Sequence, residues 1–318
     1  MTPDPKSHLF LFLVYLYIKS AICRPCFVNC RACLDNNAQT RLDKGCHLRT
    51  PLFFRNLLMS MRRFPPERII CLTEETVETL YLLGQQDRIV GVSGYAVRPP
   101  EVRKQKPRVS AFTSADIPKI MALEPDLVLT FSDLQADIVS DLIRKGVTVM
   151  AYNQRDIAGI LAMIRHLGAV VGAADEAEKL ASDYQARLAK MADANTHKPR
   201  PKVYFEEWDE PMISGIKWVS ELVEIAGGCD VFPHLSVHKA ATDRFVQSAD
   251  VIKAAPDVIL ASWCGKKVRP EKIAARAGWQ DIPAVRLDRI YEIKSPLVLQ
   301  PGPAALTDGL DAIERALS

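Results

Sequence analysis

The chain has 318 residues, with 41 Lys+Arg against 38 Asp+Glu, 48% hydrophobic and 25% charged positions. That length suits about two domains with real cores, and the composition excludes a disordered or fibrous chain. The net charge of +3 hides a division: residues 1–63 carry ten Lys/Arg and three Asp, which leaves 31 basic and 35 acidic residues for 64–318. A body at −4 argues against general nucleic-acid binding, which needs a basic face.

Residues 9–18 form an unbroken apolar run. It is shorter than the roughly 20 residues that span a bilayer, but it has the length of a signal-peptide core. Asp4 ahead of it and Lys19 behind it depart from the usual flanks of such a signal. Cys23, Cys26, Cys30 and Cys33 make two CxxC pairs only three residues apart. Zinc knuckles lie roughly 12–20 residues apart, and the order of spacings is not that of a ferredoxin, so no metal is expected. Residues 1–63 read as a leader, or as sequence upstream of a start at Met59 or Met61.

In the body, residues 68–72 have strand character, and Thr73 is placed to cap a helix whose face is Val77, Leu80, Tyr81 and Leu83. Glu74 and Glu75 then complement the dipole of that helix. Strands follow over 88–93, 126–131 and 147–151, with helices over 117–123 and 134–145. From Asp156 the pattern is helical to about 197, with Ile157, Ile160, Leu161, Ile164, Leu167 and Val171 in one stripe and Gly168 and Gly172 as points of bending or breakage. Strand–helix alternation resumes over 203–206, 219–226, 257–261, 271–277, 289–293 and 304–317. Such alternation predicts an α/β fold with mainly parallel sheets covered on both faces. Leu123-Glu124-Pro125-Asp126-Leu127 is echoed by Ala254-Ala255-Pro256-Asp257-Val258, which suggests two similar lobes. The expected division is a head (1–63), an N-terminal lobe (64–155), a helical spine (156–197) and a C-terminal lobe (198–318).

The search for catalytic patterns is negative. There is no phosphate loop and no strand-linked GxGxxG, and Tyr95 stands where a nucleophile elbow needs glycine. His234 and His238 read as loop residues rather than metal ligands. The aromatic residues are more informative. All four tryptophans lie in the second half, and Tyr95, Trp208 and Trp263 each follow or end a strand. Open α/β sheets bind ligands beyond the carboxyl ends of their strands, so these side chains suit a large, partly planar ligand.

The segments 68–73, 91–95, 107–110 and 123–128, with Ile213-Ser214-Gly215, Ala226-Gly227-Gly228 and 256–259, resemble the helical-backbone substrate-binding proteins of ABC importers. That family takes cobalamin, haem or ferric siderophores, and the likeness is strongest to its cobalamin-binding members. The resemblance implies two three-layer α/β lobes joined by a long helical spine, no catalysis, no resident cofactor, a periplasmic location and a monomer that docks on a permease. Carried over by position, it implies that Tyr95 and Phe112 face a corrinoid and that Glu207 and Trp208 occupy the first C-lobe pocket loop. Trp263 is assigned to the far wall by its post-strand position alone. Glu206, Glu207 or Asp209 would then meet the peripheral amides of the corrin. The two docking glutamates of the cobalamin-binding relatives are replaced by Pro118 and Ala249, with Asp116 and Asp250 nearby. Haem or siderophore binding, with Arg98 and Arg244 as the available cations, and a cytosolic corrinoid-binding protein without a permease are the other readings.

Overall fold

The structure, a computed structural model, describes residues 64–318. The expectations for residues 9–18 and for Cys23, Cys26, Cys30 and Cys33 lie outside the described residues.

Five strands, β1 (Ile69–Cys71), β2 (Ile89–Ser93), β3 (Arg108–Ser110), β4 (Leu127–Phe131) and β5 (Val149–Tyr152), form one sheet in the order β3-β2-β1-β4-β5. Every pairing in it is parallel. Parallel sheets are covered on both sides, so their strands read as continuous apolar runs, and alternate residues divide between two cores. Ile69, Cys71 and Leu129 pack with Val77 and Leu80 of α1 (Glu74–Leu82). On the opposite face, Ile70, Leu72 and Val128 pack with Ile120 of α2 (Ile117–Ala122) and Leu142 of α3 (Ala136–Arg144).

The helical spine breaks at Gly172, one of the two glycines expected to bend or break it, into α4 (Ile157–Val171) and α5 (Ala174–Asn195). Asp156 caps α4 by accepting from the Gly159 amide at 2.8 Å, and Gly172 ends it at φ +75°, a conformation in which a side chain would be strained. Gly168 lets the two helices meet, because a Cβ there would stand 2.1 Å from that of Ala177. At 1.5 Å per residue, α5 is about 33 Å long, enough to run the length of a small domain. Asp175 and Glu176 lie in its first turn, where their charge complements the helix dipole.

The second sheet holds β6 (Lys202–Asp209), β7 (Met212–Ser214), β8 (Cys229–Asp230), β9 (Val258–Ala261) and β10 (Ile290–Glu292). Its order is β10-β9-β6-β7, with β8 also pairing β6 and only β7 antiparallel. Val203, Phe205 and Leu260 join the core shared with α4, α5, α6 (Lys217–Ile225) and α8 (Leu310–Leu317). Tyr204, Ile259, Trp263 and Trp279 form a separate core on the outer face, with Val251 of α7 (Ser248–Ala254). The fold is therefore two α/β lobes with mainly parallel sheets and a helical connection.

The repeated Pro-Asp segment has a structural role in each lobe. Glu124 and Ala255, immediately before the prolines, both adopt left-handed backbone, at φ 47° and 48°. Asp126 then accepts from the amides of Glu67 and Arg68 at 2.7 and 2.9 Å, and Asp257 from that of Lys202 at 2.8 Å. Each aspartate thereby fixes the start of its own strand against the first strand of its lobe.

Candidate functional site

In the first sheet the chain order reverses between β1 and β4, and in the second between β6 and β9. These switch points leave crevices beyond the carboxyl ends of the strands, where open α/β sheets take their ligands. The two sets of strand ends come near one another. The amide of Gln154, after β5, donates to the Pro301 carbonyl at 3.0 Å. Cys264, after β9, has its thiol pushed up by desolvation and then by the charges of Glu74 and Glu207, one from each lobe.

Tyr95 follows β2 and is 50% exposed. Phe112 follows β3, half-buried against the main core, and its carbonyl accepts from the Gln135 amide at 2.8 Å. Gln135 is fully buried and also receives the Phe131 amide at 3.0 Å, so one side chain ties the ends of β3 and β4. Nothing in the local pattern of the sequence marks that residue as a hub. Arg155, after β5, lies 5.1 Å over the Phe131 ring and pairs with Asp133 at 3.1 Å.

Trp208, at the end of β6, is half-buried, and its indole N–H donates to the Glu210 carbonyl at 3.0 Å. The Lys266 ammonium sits 5.2 Å from its ring centroid and 4.9 Å from that of Trp263, within cation–π range of both. Trp263 departs from expectation. It is only 2% exposed, and its N–H donates to Glu206 at 3.2 Å. It turns onto the outer face of the second sheet and fills the core there, so its place after a strand does not put it on a ligand wall.

The acidic loop is corrected in the same way. Glu206 is fully buried and held by Arg276 at 2.9 Å. Glu207 receives Arg244 at 2.6 and 3.0 Å, and Asp209 receives Lys266 at 2.6 and 2.8 Å. Arg98 is bound by Glu78 and Asp308, both at 2.8 Å. The charges that the sequence offers to a ligand are already matched within the protein.

The unmatched oxygens lie elsewhere. Glu74, Glu75, Ser110, Thr130, Tyr152, Gln154 and Ser262 each keep a buried side-chain oxygen without a hydrogen-bond partner. All sit at the carboxyl ends of β1, β3, β4, β5 and β9, and such groups are costly unless something satisfies them. Thr73 stands at the cap position of α1, but its hydroxyl donates to Glu75 at 2.6 Å instead of capping the helix. Burial pushes the Glu74 carboxyl up to about 7. Burial, followed by the charge of Glu74, pushes Glu75 up to about 8 against the bond from Thr73. Two surface depressions of about 430 and 450 Å³ are separate from this cleft and contain none of Tyr95, Phe112, Glu74 or Trp208.

The sequence profile of the periplasmic binding protein family matches residues 69–297. The chain belongs to that family. An ABC transporter substrate-binding lipoprotein of Bacillus subtilis is 26% identical over 266 residues, covering 79% of this chain and 80% of that protein. A vitamin B12-binding protein of Vibrio parahaemolyticus is 25% identical over 277 residues, covering 86% and 96%. Among solved structures, the periplasmic vitamin B12-binding protein of Vibrio cholerae superposes with a TM-score of 0.65 at 24% identity, over 80% of this chain and 98% of that one. A periplasmic haem-binding protein of Roseiflexus superposes with a TM-score of 0.68, also at 24% identity, over 79% and 99%. As a periplasmic binding protein of the ABC importer type, the chain binds a small-molecule substrate and is not an enzyme. No helix among the described residues is long and apolar enough to cross a membrane.

Proposed function

We propose that this periplasmic binding protein holds a cobalamin-like corrinoid between its lobes, with Tyr95, Phe112 and Trp208 packing on the macrocycle, and delivers it to an ABC permease in the periplasm. The observation that carries the reading is the charge balance of the cleft. Arg98, Arg155, Arg244 and Lys266 are each bound by a carboxylate of the protein, whereas the buried oxygens of Glu74 and Glu75 are not bound by any cation. A ferric siderophore or haem brings negative charge and needs spare cations. A corrinoid brings apolar surface and peripheral amides, which suit aromatic faces and free acceptors. The vitamin B12-binding relative aligned over most of both chains supports the same ligand. Glu207 contributes by positioning, since its carboxylate holds Arg244 and receives the Ile216 amide at 3.2 Å. For permease docking, Pro118 and Ala249 are exposed at corresponding helix starts, with Asp116 and Asp250 exposed beside them. These aspartates are the acidic groups available to meet permease arginines.

Titration of the full chain with cyanocobalamin should give calorimetric heat and tryptophan quenching. No response at high micromolar ligand, with haem or a ferric siderophore bound instead, would overturn the reading. Fractionation of expressing cells tests location: the periplasmic reading expects the protein in the periplasm, and recovery in the cytosol supports the variant without a permease.

A further inference from the structure

We propose that Glu74 is the polar contact that selects an amide-bearing corrinoid over its carboxylate-bearing counterpart. The inference rests on the corrinoid reading above and assigns the specificity to one side chain. Glu74 opens α1 directly after β1, at the switch point of the first sheet, and only 8% of it is exposed. Its Oε2 has no hydrogen-bond partner. The neighbouring Glu75 packs against Gly302 of the second lobe, where an added Cβ would stand 2.5 Å from its own, so this helix start borders the other lobe.

The cations at the strand ends are each paired with a carboxylate, although Arg244 keeps its Nε without a partner. The Thr73 hydroxyl is taken by Glu75, Arg155 by Asp133, Arg244 by Glu207 and Lys266 by Asp209. A primary amide arriving at Glu74 brings the missing N–H and satisfies a desolvated acceptor. A carboxylate at the same place brings a second negative charge beside Glu75, while the cations of the strand ends are held by other carboxylates. A buried acceptor tells these two groups apart more sharply than it tells shapes apart, because the wrong one leaves it both unpaired and repelled.

The test compares dicyanocobinamide, which carries amide side chains, with dicyanocobyrinic acid, which carries carboxylates in their place, on the full chain at pH 8. The wild-type protein should bind the amide form about 10- to 100-fold more tightly, as expected for a buried charged hydrogen bond. Glu74→Gln should cut that ratio to about threefold or less, since its amide can serve either ligand. Glu74→Asp, which keeps the charge, should retain the preference and serves if the glutamine variant does not fold. Equal binding of both forms, or a ratio unchanged in Glu74→Gln, overturns the inference and leaves the corrinoid reading intact. Binding of neither form overturns both.

Discussion

At the scale of single residues, Trp208 and Trp263, both at strand ends of the second sheet, have opposite assignments. Trp208 is half-buried at a strand end, and Trp263 is enclosed by the outer core and held by Glu206. Trp208→Ala should weaken corrinoid binding by about 1–3 kcal/mol, with little change in melting temperature, if the ring is a stacking anchor. Trp263→Phe should do the reverse. It removes the hydrogen bond to Glu206 and leaves a void in a packed core, at a cost of about 1–3 kcal/mol of stability. Calorimetry and thermal melts on the two variants separate the assignments, and a large affinity loss in Trp263→Phe would return that ring to the ligand wall. Position after a strand is legible in the sequence, and it located Tyr95 and Trp208 at the sheet ends. Phe112 came from the resemblance alone, since the short strand before it, Arg108–Ser110, has no clear apolar run. The face onto which a side chain turns depends on partners distant in sequence. Glu206 and Trp263 are 57 residues apart, so that pairing could not be read from local pattern. The same holds for the acidic loop, whose cations Arg244 and Arg276 come from separate segments.

At the scale of elements, the two Pro-Asp turns show which parts of a fold a sequence displays. Their apolar strand runs, capping aspartates and stop signals are local, and the elements formed close to where those signals lie. The division of the helical tract into α4 and α5 falls at Gly172, where the sequence offers a break, and its left-handed backbone ends the first helix. Thr73 departs from its expected capping bond for a different reason: a hydroxyl at a cap position has more than one partner within reach, and the buried Glu75 competes for it. Ala255 carries a left-handed backbone that disfavours a Cβ. Ala255→Gly should therefore raise stability by about 0.5–1 kcal/mol, the relief of strain exceeding the entropy that glycine adds to the unfolded chain. Urea denaturation measures it directly. A loss of stability would mean that the turn is held by its flanking hydrogen bonds with no strain at Ala255.

At the scale of the whole molecule, the lobes are joined twice, by the helical pair and by the segment after β10 that returns to the first lobe. The Ala304 amide donates to Glu78 at 3.0 Å, Arg98 binds both Glu78 and Asp308, and Gly302 lies so close to Glu75 that a Cβ would stand 2.5 Å away. This second connection seals Glu75 at 1% exposure and gives the folded protein a characteristic response to pH. Unfolded, the Glu75 carboxyl loses its proton near the ordinary 4.5; folded, burial and the charge of Glu74 hold the proton up to about 8. Between those values the folded state binds more protons than the unfolded state, so this pair's contribution to stability is fully present below about pH 4.5 and is lost as pH rises toward 8. Because Glu74 and Glu75 titrate together, the loss belongs to the pair. Glu75→Gln keeps the shape and still accepts the Thr73 hydroxyl through its amide oxygen, but it carries no charge at any pH. It should be close to neutral at pH 5 and stabilise the protein at pH 8 by at least about 1.4 kcal/mol, the equivalent of one pK unit. Denaturation curves of the wild type and the variant at the two pH values give the difference. An equal effect at both would mean that Glu75 meets no greater resistance to ionisation in the folded protein than in the unfolded chain, and that the second connection does not seal it from water.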